Sequence, residues 1–268
     1  MSVEIDLKGL GVIVTASSRG IGFNVARELL RRNARVVISS HSLENLKKAE
    51  KELSEFGEVH AVPANLFRQE DIEKLVKEAW ELLGGIDALI WNAPNVPCEP
   101  CMLHEADYLD WIEASALHTA APGYLTTLLV QAWLEKKMKG RLVYLNSVSV
   151  KEPMPPLVLA DVARAGLVQL AKSVSRTYGK YGIRAYSVLL GSFDTPGARE
   201  NLRALADERG KPFEEVWERE VLSRTPLHRT GRWSELGSLV AFLLSEEAEY
   251  MLGSTVVIDG VMTRGINL

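Results

Sequence analysis

The first residues able to do chemistry form the stretch Thr15-Ala16-Ser17-Ser18-Arg19-Gly20-Ile21-Gly22. An apolar run, GLGVIVT (9–15), leads into it, and a helical pattern follows. A glycine turn at such a junction lets backbone N–H groups at a helix N-terminus approach a pyrophosphate. The end of the second apolar run reads Ser39-Ser40-His41-Ser42 and lacks the carboxylate that would hold a ribose 2′-hydroxyl in an NAD site. An unopposed Arg19 would instead pair with a 2′-phosphate through charge-assisted hydrogen bonds. NADP(H) is therefore expected in preference to NAD(H). A separate group is Cys98-x-x-Cys101, the chain's two cysteines, with His104 shortly after. That spacing suits a local disulfide, a redox dithiol or half of a metal site. No second C-x-x-C completes four zinc ligands, so no metal is expected.

The elements that would position these groups follow from periodicity. Apolar β-rich runs at 9–15, 34–40, 59–64, 86–92, 141–148, 183–190 and 254–259 alternate with helical patterns. The helical patterns fall at 20–33, 44–56, 69–83, 108–137, 157–181 and 233–244. Such alternation implies a parallel sheet with helices on both faces. The rhythm never breaks for a linker, so residues 1–268 are expected to form one domain. Residues 196–232 depart from it as a charged segment with two short amphipathic patterns, the kind of excursion that forms a lid. Its Leu202, Phe213 and Trp217 hint at a partly hydrophobic ligand. A net charge of −4 gives no electrostatic reason to expect nucleic acid or an anionic membrane. No apolar run reaches spanning length and no leader pattern opens the chain, so a cytoplasmic protein is expected.

The segments resemble the short-chain dehydrogenase/reductase family over nearly the whole chain, in the branch of 3-oxoacyl-carrier-protein reductases and glucose dehydrogenases. Residues 15–22 are similar to its T-G-x-x-x-G-x-G loop, and LIWNAP (89–94) to its N-N-A-G segment. RLVYLNSVSV (141–150) resembles its serine strand, LLGSFDTP (189–196) its P-G-x-x-x-T turn, and residues 229–260 its C-terminal pattern. The resemblance implies a Rossmann-type, doubly wound α/β fold with strand order 3-2-1-4-5-6-7. It also implies that Ala16, Ser18, Arg19, Gly20 and Ile21 cradle the dinucleotide phosphates. Ser40 and His41 would meet the ribose, and Asn65 and Leu66 the adenine. Asn92, Ala93, Gly191, Phe193 and Thr195 would complete the cofactor-binding set, with Arg164 at the nicotinamide ribose. Departures are present. Ala16 replaces a glycine, Asn65 an aspartate, and Trp91 and Pro94 the first Asn and the Gly of N-N-A-G.

The family's reaction uses a serine, a tyrosine, a lysine and an asparagine to position substrate and move a proton, with hydride passing directly to or from the nicotinamide. Ser147 matches the serine. Family spacing puts Ala160 at the tyrosine, Arg164 at the lysine and His118 at or beside the asparagine. No shifted pair exists, because none of Tyr108, Tyr124, Tyr144, Tyr178, Tyr181, Tyr186 and Tyr250 has Lys four residues later. Arg164 cannot act as an acid near neutral pH, its pKa being above about 12. His118 is the remaining group whose ordinary pKa suits proton transfer. The expected catalytic set is therefore Ser147, Arg164 and His118, in an oxidoreductase moving hydride between NADP(H) and a small alcohol or carbonyl through a non-standard proton donor. An inactive nucleotide-binding homologue, acting as sensor or assembly partner, and a non-redox lyase or isomerase are the alternatives. A homo-oligomer, tetramer or dimer, is expected to pair through the long helices carrying Leu125, Leu128, Leu129, Leu167, Leu170 and Ala171.

Overall fold

The computed structural model describes residues 5–265. Seven short apolar runs become the strands β1 (Gly11–Val14), β2 (Arg35–Ser40), β3 (Val59–Pro63), β4 (Ala88–Trp91), β5 (Gly140–Ser147), β6 (Ile183–Leu190) and β7 (Thr255–Ile258). All neighbours pair in parallel, in the order β3-β2-β1-β4-β5-β6-β7. The central strands are buried on both faces, which explains their continuous rather than alternating hydrophobicity. One face carries α1 (Gly20–Leu30), α2 (Leu43–Leu53) and α9 (Trp233–Leu244), whose leucines and alanines meet Val12, Val14, Val36 and Ile38. The other face carries α3 (Gln69–Leu83), α5 (Ala121–Lys136) and α6 (Val158–Tyr178), packed on Ile13, Val37, Leu89 and Leu142. Strand order reverses between β1 and β4, opening a crevice at the carboxyl ends, the usual ligand position in an open α/β sheet.

The helix expected over 108–137 is interrupted. It runs as α4 (Tyr108–Ser115), one π-turn over Ala116–Ala120, and α5. Pro122 explains the break. It has no N–H to give and its ring would crowd the carbonyl four residues back, so the turn widens to an i→i+5 spacing. The wide turn presents His118 towards the crevice and ties Thr119 Oγ1 to the carbonyl of Ala163 on α6 (2.9 Å).

The helix residues expected to pair subunits face the sheet instead. Leu125, Leu129, Leu167 and Ala171 are buried in the core, with Leu128 and Leu170 half-buried against it. A period of 3.6 shows that a helix has an apolar stripe, not which neighbour the stripe meets. The excursion at 196–232 does form two helices, α7 (Pro196–Arg209) and α8 (Phe213–Glu220). Their aromatic face is already covered, because the Arg199 guanidinium lies over the Phe213 and Trp217 rings and Arg203 over Phe213. The expectation of a free hydrophobic ligand surface there is corrected accordingly.

Candidate active site

A groove of about 420 Å³ follows the carboxyl ends of β1, β2 and β4. Ala16, Ser18, Arg19, Gly20 and Ile21 form its floor, and Ser40, His41, Asn65, Leu66, Asn92, Ala93 and Thr195 its walls. The turn is held from three sides. Thr15 Oγ1 donates to the Asn92 carbonyl (2.6 Å) and accepts the Asn92 N–H (2.9 Å). Asn92 Nδ2 donates to the Ala16 carbonyl (3.0 Å). Ser17 Oγ donates to the Val14 carbonyl (2.6 Å) and accepts the Ser39 N–H (3.0 Å). Gly22 is obligatory, since a Cβ would lie 2.7 Å from the Ala16 carbonyl oxygen. Ala16 itself sits at φ 45°, so it keeps the left-handed backbone of a glycine despite its methyl group. No side chain caps the first N–H groups of α1, whereas Ser42 caps α2 and Thr195 caps α7. These residues fit a dinucleotide, with uncapped donors at the phosphate position and an apolar slot at Leu66 for the adenine.

Two expectations about the groove change. Arg19 is not unopposed, for its Nη1 lies 3.1 Å from Glu200 Oε1 on α7, both groups being exposed. Phe193 turns its ring away from the groove. It stacks on Trp233 at 5.3 Å between centroids, packs against Gly231 and lines a different cavity. At the adenine end, Asn65 Oδ1 accepts the Phe67 N–H (3.0 Å).

An inner cavity of about 180 Å³ adjoins the groove, sharing Ile21, Asn92, Ala93, Pro94 and Asn95 with it. Ser147, at the end of β5, Arg164, on α6, and His118, in the π-turn, all line it, together with Gly191. Ser147 Oγ accepts from the Ser149 N–H (3.1 Å) and hydroxyl (2.8 Å), which leaves its own proton to point at a ligand. Asn146 sets the spacing between strand and helix. Its Oδ1 accepts the Ser147 N–H (2.8 Å) and its Nδ2 donates to the Arg164 carbonyl (3.1 Å). Burial lowers the Arg164 pKa, opposed by Asp161 and Glu99. Its Nε has no partner among the described residues, nor has His118 Nε2.

The acid role expected of His118 is corrected. Burial, and then the Arg164 charge, push its pKa down to about 3. At neutral pH the ring is uncharged, and an imidazole without its extra proton is a hydrogen-bonding group rather than a ready acid. Ala160 is wholly buried, so no solvent gap marks the place of the family's tyrosine.

A carboxylate that no motif marks out in the sequence meets this turn of α6. The loop after β4 folds back on the start of α6, and Glu99 Oε1 accepts the Ala160 N–H at 2.8 Å. Glu99 is 9% exposed and lines the groove. The available signal was a single carboxylate between Pro97 and Pro100 in the connection that leaves β4, where sheet ligands bind. The same loop carries Cys98 and Cys101, whose Sγ atoms lie 3.2 Å apart as free thiols. Burial, Cys101 and Asp110 push Cys98 up to about 12. No group of three or more His, Cys, Asp or Glu side chains is placed to hold a metal among the described residues.

Comparison with known proteins adds the following. A family model described as Enoyl-(Acyl carrier protein) reductase matches residues 15–263. Dehydrogenase/reductase SDR family member 4 of Oryctolagus cuniculus is 30% identical over 92% of this chain and 91% of that protein. Glucose 1-dehydrogenase 2 of Bacillus subtilis is 26% identical over 96% of each. Among solved structures, a variant of actinorhodin polyketide ketoreductase with NADPH superposes with a TM-score of 0.87. It is 25% identical, covering 94% of this chain and 96% of that one.

Proposed function

Because the chain belongs to the short-chain dehydrogenase/reductase family, in the branch that includes glucose dehydrogenases, and is on that ground an oxidoreductase using a nicotinamide cofactor, we propose that it interconverts a small alcohol and its carbonyl with NADP(H). The observation that carries this reading is the meeting of Ser147, Arg164 and His118 around one cavity that opens into the dinucleotide groove.

The bound cofactor supplies the hydride, and the chain supplies placement and proton handling. Ser147 donates its hydroxyl proton as a hydrogen bond to the substrate oxygen. Arg164, lining the inner cavity, would hold a ribose hydroxyl and add positive charge beside a developing alkoxide. Neutral His118 accepts or donates one further hydrogen bond at the cavity wall. The uncapped N-terminus of α1 would hold the pyrophosphate. Preference for the 2′-phosphorylated form rests on the absence of a carboxylate at Ser39–Ser42 and on Arg19, which exchanges Glu200 for the phosphate. The relative co-crystallised with NADPH supports the same choice.

The subunits are proposed to associate as a dimer or tetramer. Exposed Leu109 and Ile112 on α4 and Val162 on α6 are apolar residues that those helices leave available for such a contact. No described helix is long and apolar enough to cross a membrane.

The test is fluorescence titration with NADPH and NADH, followed by NADPH oxidation over a panel of sugars, ketones and aldehydes. Tighter NADPH binding, weakened by Arg19→Ala, and turnover of at least one carbonyl are expected. Equal affinities that ignore Arg19→Ala overturn the cofactor preference. Failure to bind either dinucleotide overturns the reading as a whole.

A further inference from the structure

Reduction of a carbonyl needs a proton as well as a hydride, and the cavity's obvious groups do not supply one. Arg164 holds its proton too tightly, His118 carries none to spare at neutral pH, and Ala160 has no proton to give. Glu99 differs from all three. It is a carboxyl group 9% exposed, fixed through Oε1 to the Ala160 N–H at 2.8 Å, with Oε2 buried and bonded to nothing among the described residues. Its loop is seated firmly. Val96 joins Ala114, Leu159, Ala160 and Ala163 in a small apolar cluster, and the Cys101 N–H donates to the Pro156 carbonyl (2.9 Å). Glu99 lines the groove together with Pro94 and Asn95, and those two residues also line the cavity of Ser147.

We infer that Glu99 is the proton donor and acceptor of this enzyme, delivered from the loop after β4 onto the first turn of α6. The inference rests on the oxidoreductase reading given above. In the reductive direction the carbonyl carbon gains a hydride and the C=O π bond opens onto oxygen. Glu99 Oε2 gives that oxygen its proton, completing one new C–H and one new O–H bond. The carboxylate left behind is held by the Ala160 N–H and the Arg164 charge, and solvent returns the proton. In the oxidative direction Glu99 takes the hydroxyl proton as the hydride leaves.

The surroundings suit the role. Burial raises the Glu99 pKa and outweighs the hydrogen bond from Ala160 and the charge of Arg164, while Asp161 adds to the rise. The charged groups that act on it are Arg164 and Asp161, both on α6. A carboxyl raised towards the working pH is the more useful acid.

Glu99→Gln separates this role from that of a helix cap, because Gln still accepts the Ala160 N–H but cannot titrate. The variant is expected to keep its melting temperature and NADPH affinity. Its kcat on any carbonyl the wild type reduces should fall by about 10²–10⁴-fold, with the ionisation limb of the pH profile lost. Infrared spectra of the protein, with and without NADPH, give a readout free of turnover. A neutral-carboxyl C=O band should persist above the pH at which ordinary glutamates ionise, and should vanish in Glu99→Gln. A Glu99→Gln enzyme within a few-fold of wild type, or a Glu99 that titrates as an ordinary glutamate, overturns the inference. Absence of NADPH binding by the wild type sinks the parent reading instead, and the fluorescence titration tells these apart.

Discussion

Replacing Ala16 with glycine tests the phosphate turn directly. Ala16 is held at φ 45°, where an L-residue with a Cβ is strained by roughly 1–2 kcal/mol. Glycine removes that strain but gives back about 0.5–1 kcal/mol of chain entropy. The net expectation is a stabilisation of about 0.5–1 kcal/mol, a rise in Tm of roughly 1–4 °C for a chain of this size. The substitution also removes a methyl group from the floor of the groove, where the turn meets its ligand. NADPH should then bind about threefold or more tightly, on the order of 0.7 kcal/mol. Differential scanning calorimetry of the apoprotein measures the first effect, and fluorescence titration the second. A lower Tm would show that the neighbouring bonds from Thr15, Asn92 and Ser17 relieve the left-handed strain. A higher Tm with unchanged NADPH affinity would show that the methyl group does not face the phosphate path.

Other substitutions probe separate parts of the argument. Glu200→Gln should free Arg19 and strengthen NADPH binding about two- to fivefold at low salt, with little change for NADH; isothermal titration with both dinucleotides checks this. Ala160→Tyr should destabilise by about 1–3 kcal/mol through overpacking, because Ala160 is wholly buried beneath the Glu99 loop; a denaturant melt measures it. His118→Asn should change the rate without moving any limb of the pH–kcat profile between about pH 5 and 9, since a ring with a pKa of about 3 is already neutral there. Burial works against the Glu246 carboxylate, yet the charges of Arg184, Arg141 and Lys139 hold its pKa below the usual range. A depressed folded pKa means stability that is full above the unfolded value, near 4.5, and is lost as pH falls through the folded one. Glu246→Gln should therefore lower Tm at pH 7, leaving buried Arg184 without its counter-charge, and flatten the acid side of the Tm–pH curve.

Much of the fold is legible because its causes are local. Runs such as VVI within RVVISS, and ALIW, are short and apolar, and the intervening stripes are helical, so a parallel sheet follows. Ser147, Arg164 and His118 also come together as the family spacing implies, because β5, α6 and the π-turn are rigid pieces at fixed separations. What escapes the sequence is long-range. Arg19 meets Glu200 from 181 residues away. Glu99 reaches Ala160 across 61 residues from a loop without periodicity. The direction in which Leu125 and Leu167 point depends on which partner the stripe meets, and a stripe pattern carries no such label. The ring of Phe193 leaves the groove because Gly231, on a distant loop, makes room for it.

The π-turn at Ala116–Ala120 has a consequence for how the two halves of the stretch divide their loyalties. One surplus residue advances the helical phase by about 100°, since an α-helix turns once in 3.6 residues. Upstream of that offset, Tyr108, Leu109 and Ile112 look out to solvent; downstream, Leu125 and Leu129 look in to the sheet. Excising a single residue such as Thr119 would bring both segments into step, swinging the α4 face round by a quarter-turn or more and pulling His118 off the cavity wall. The exposed face of α4 and the wall of the inner cavity are in this way geared together by one wide turn, and neither can be re-cut by insertion or deletion there without disturbing the other.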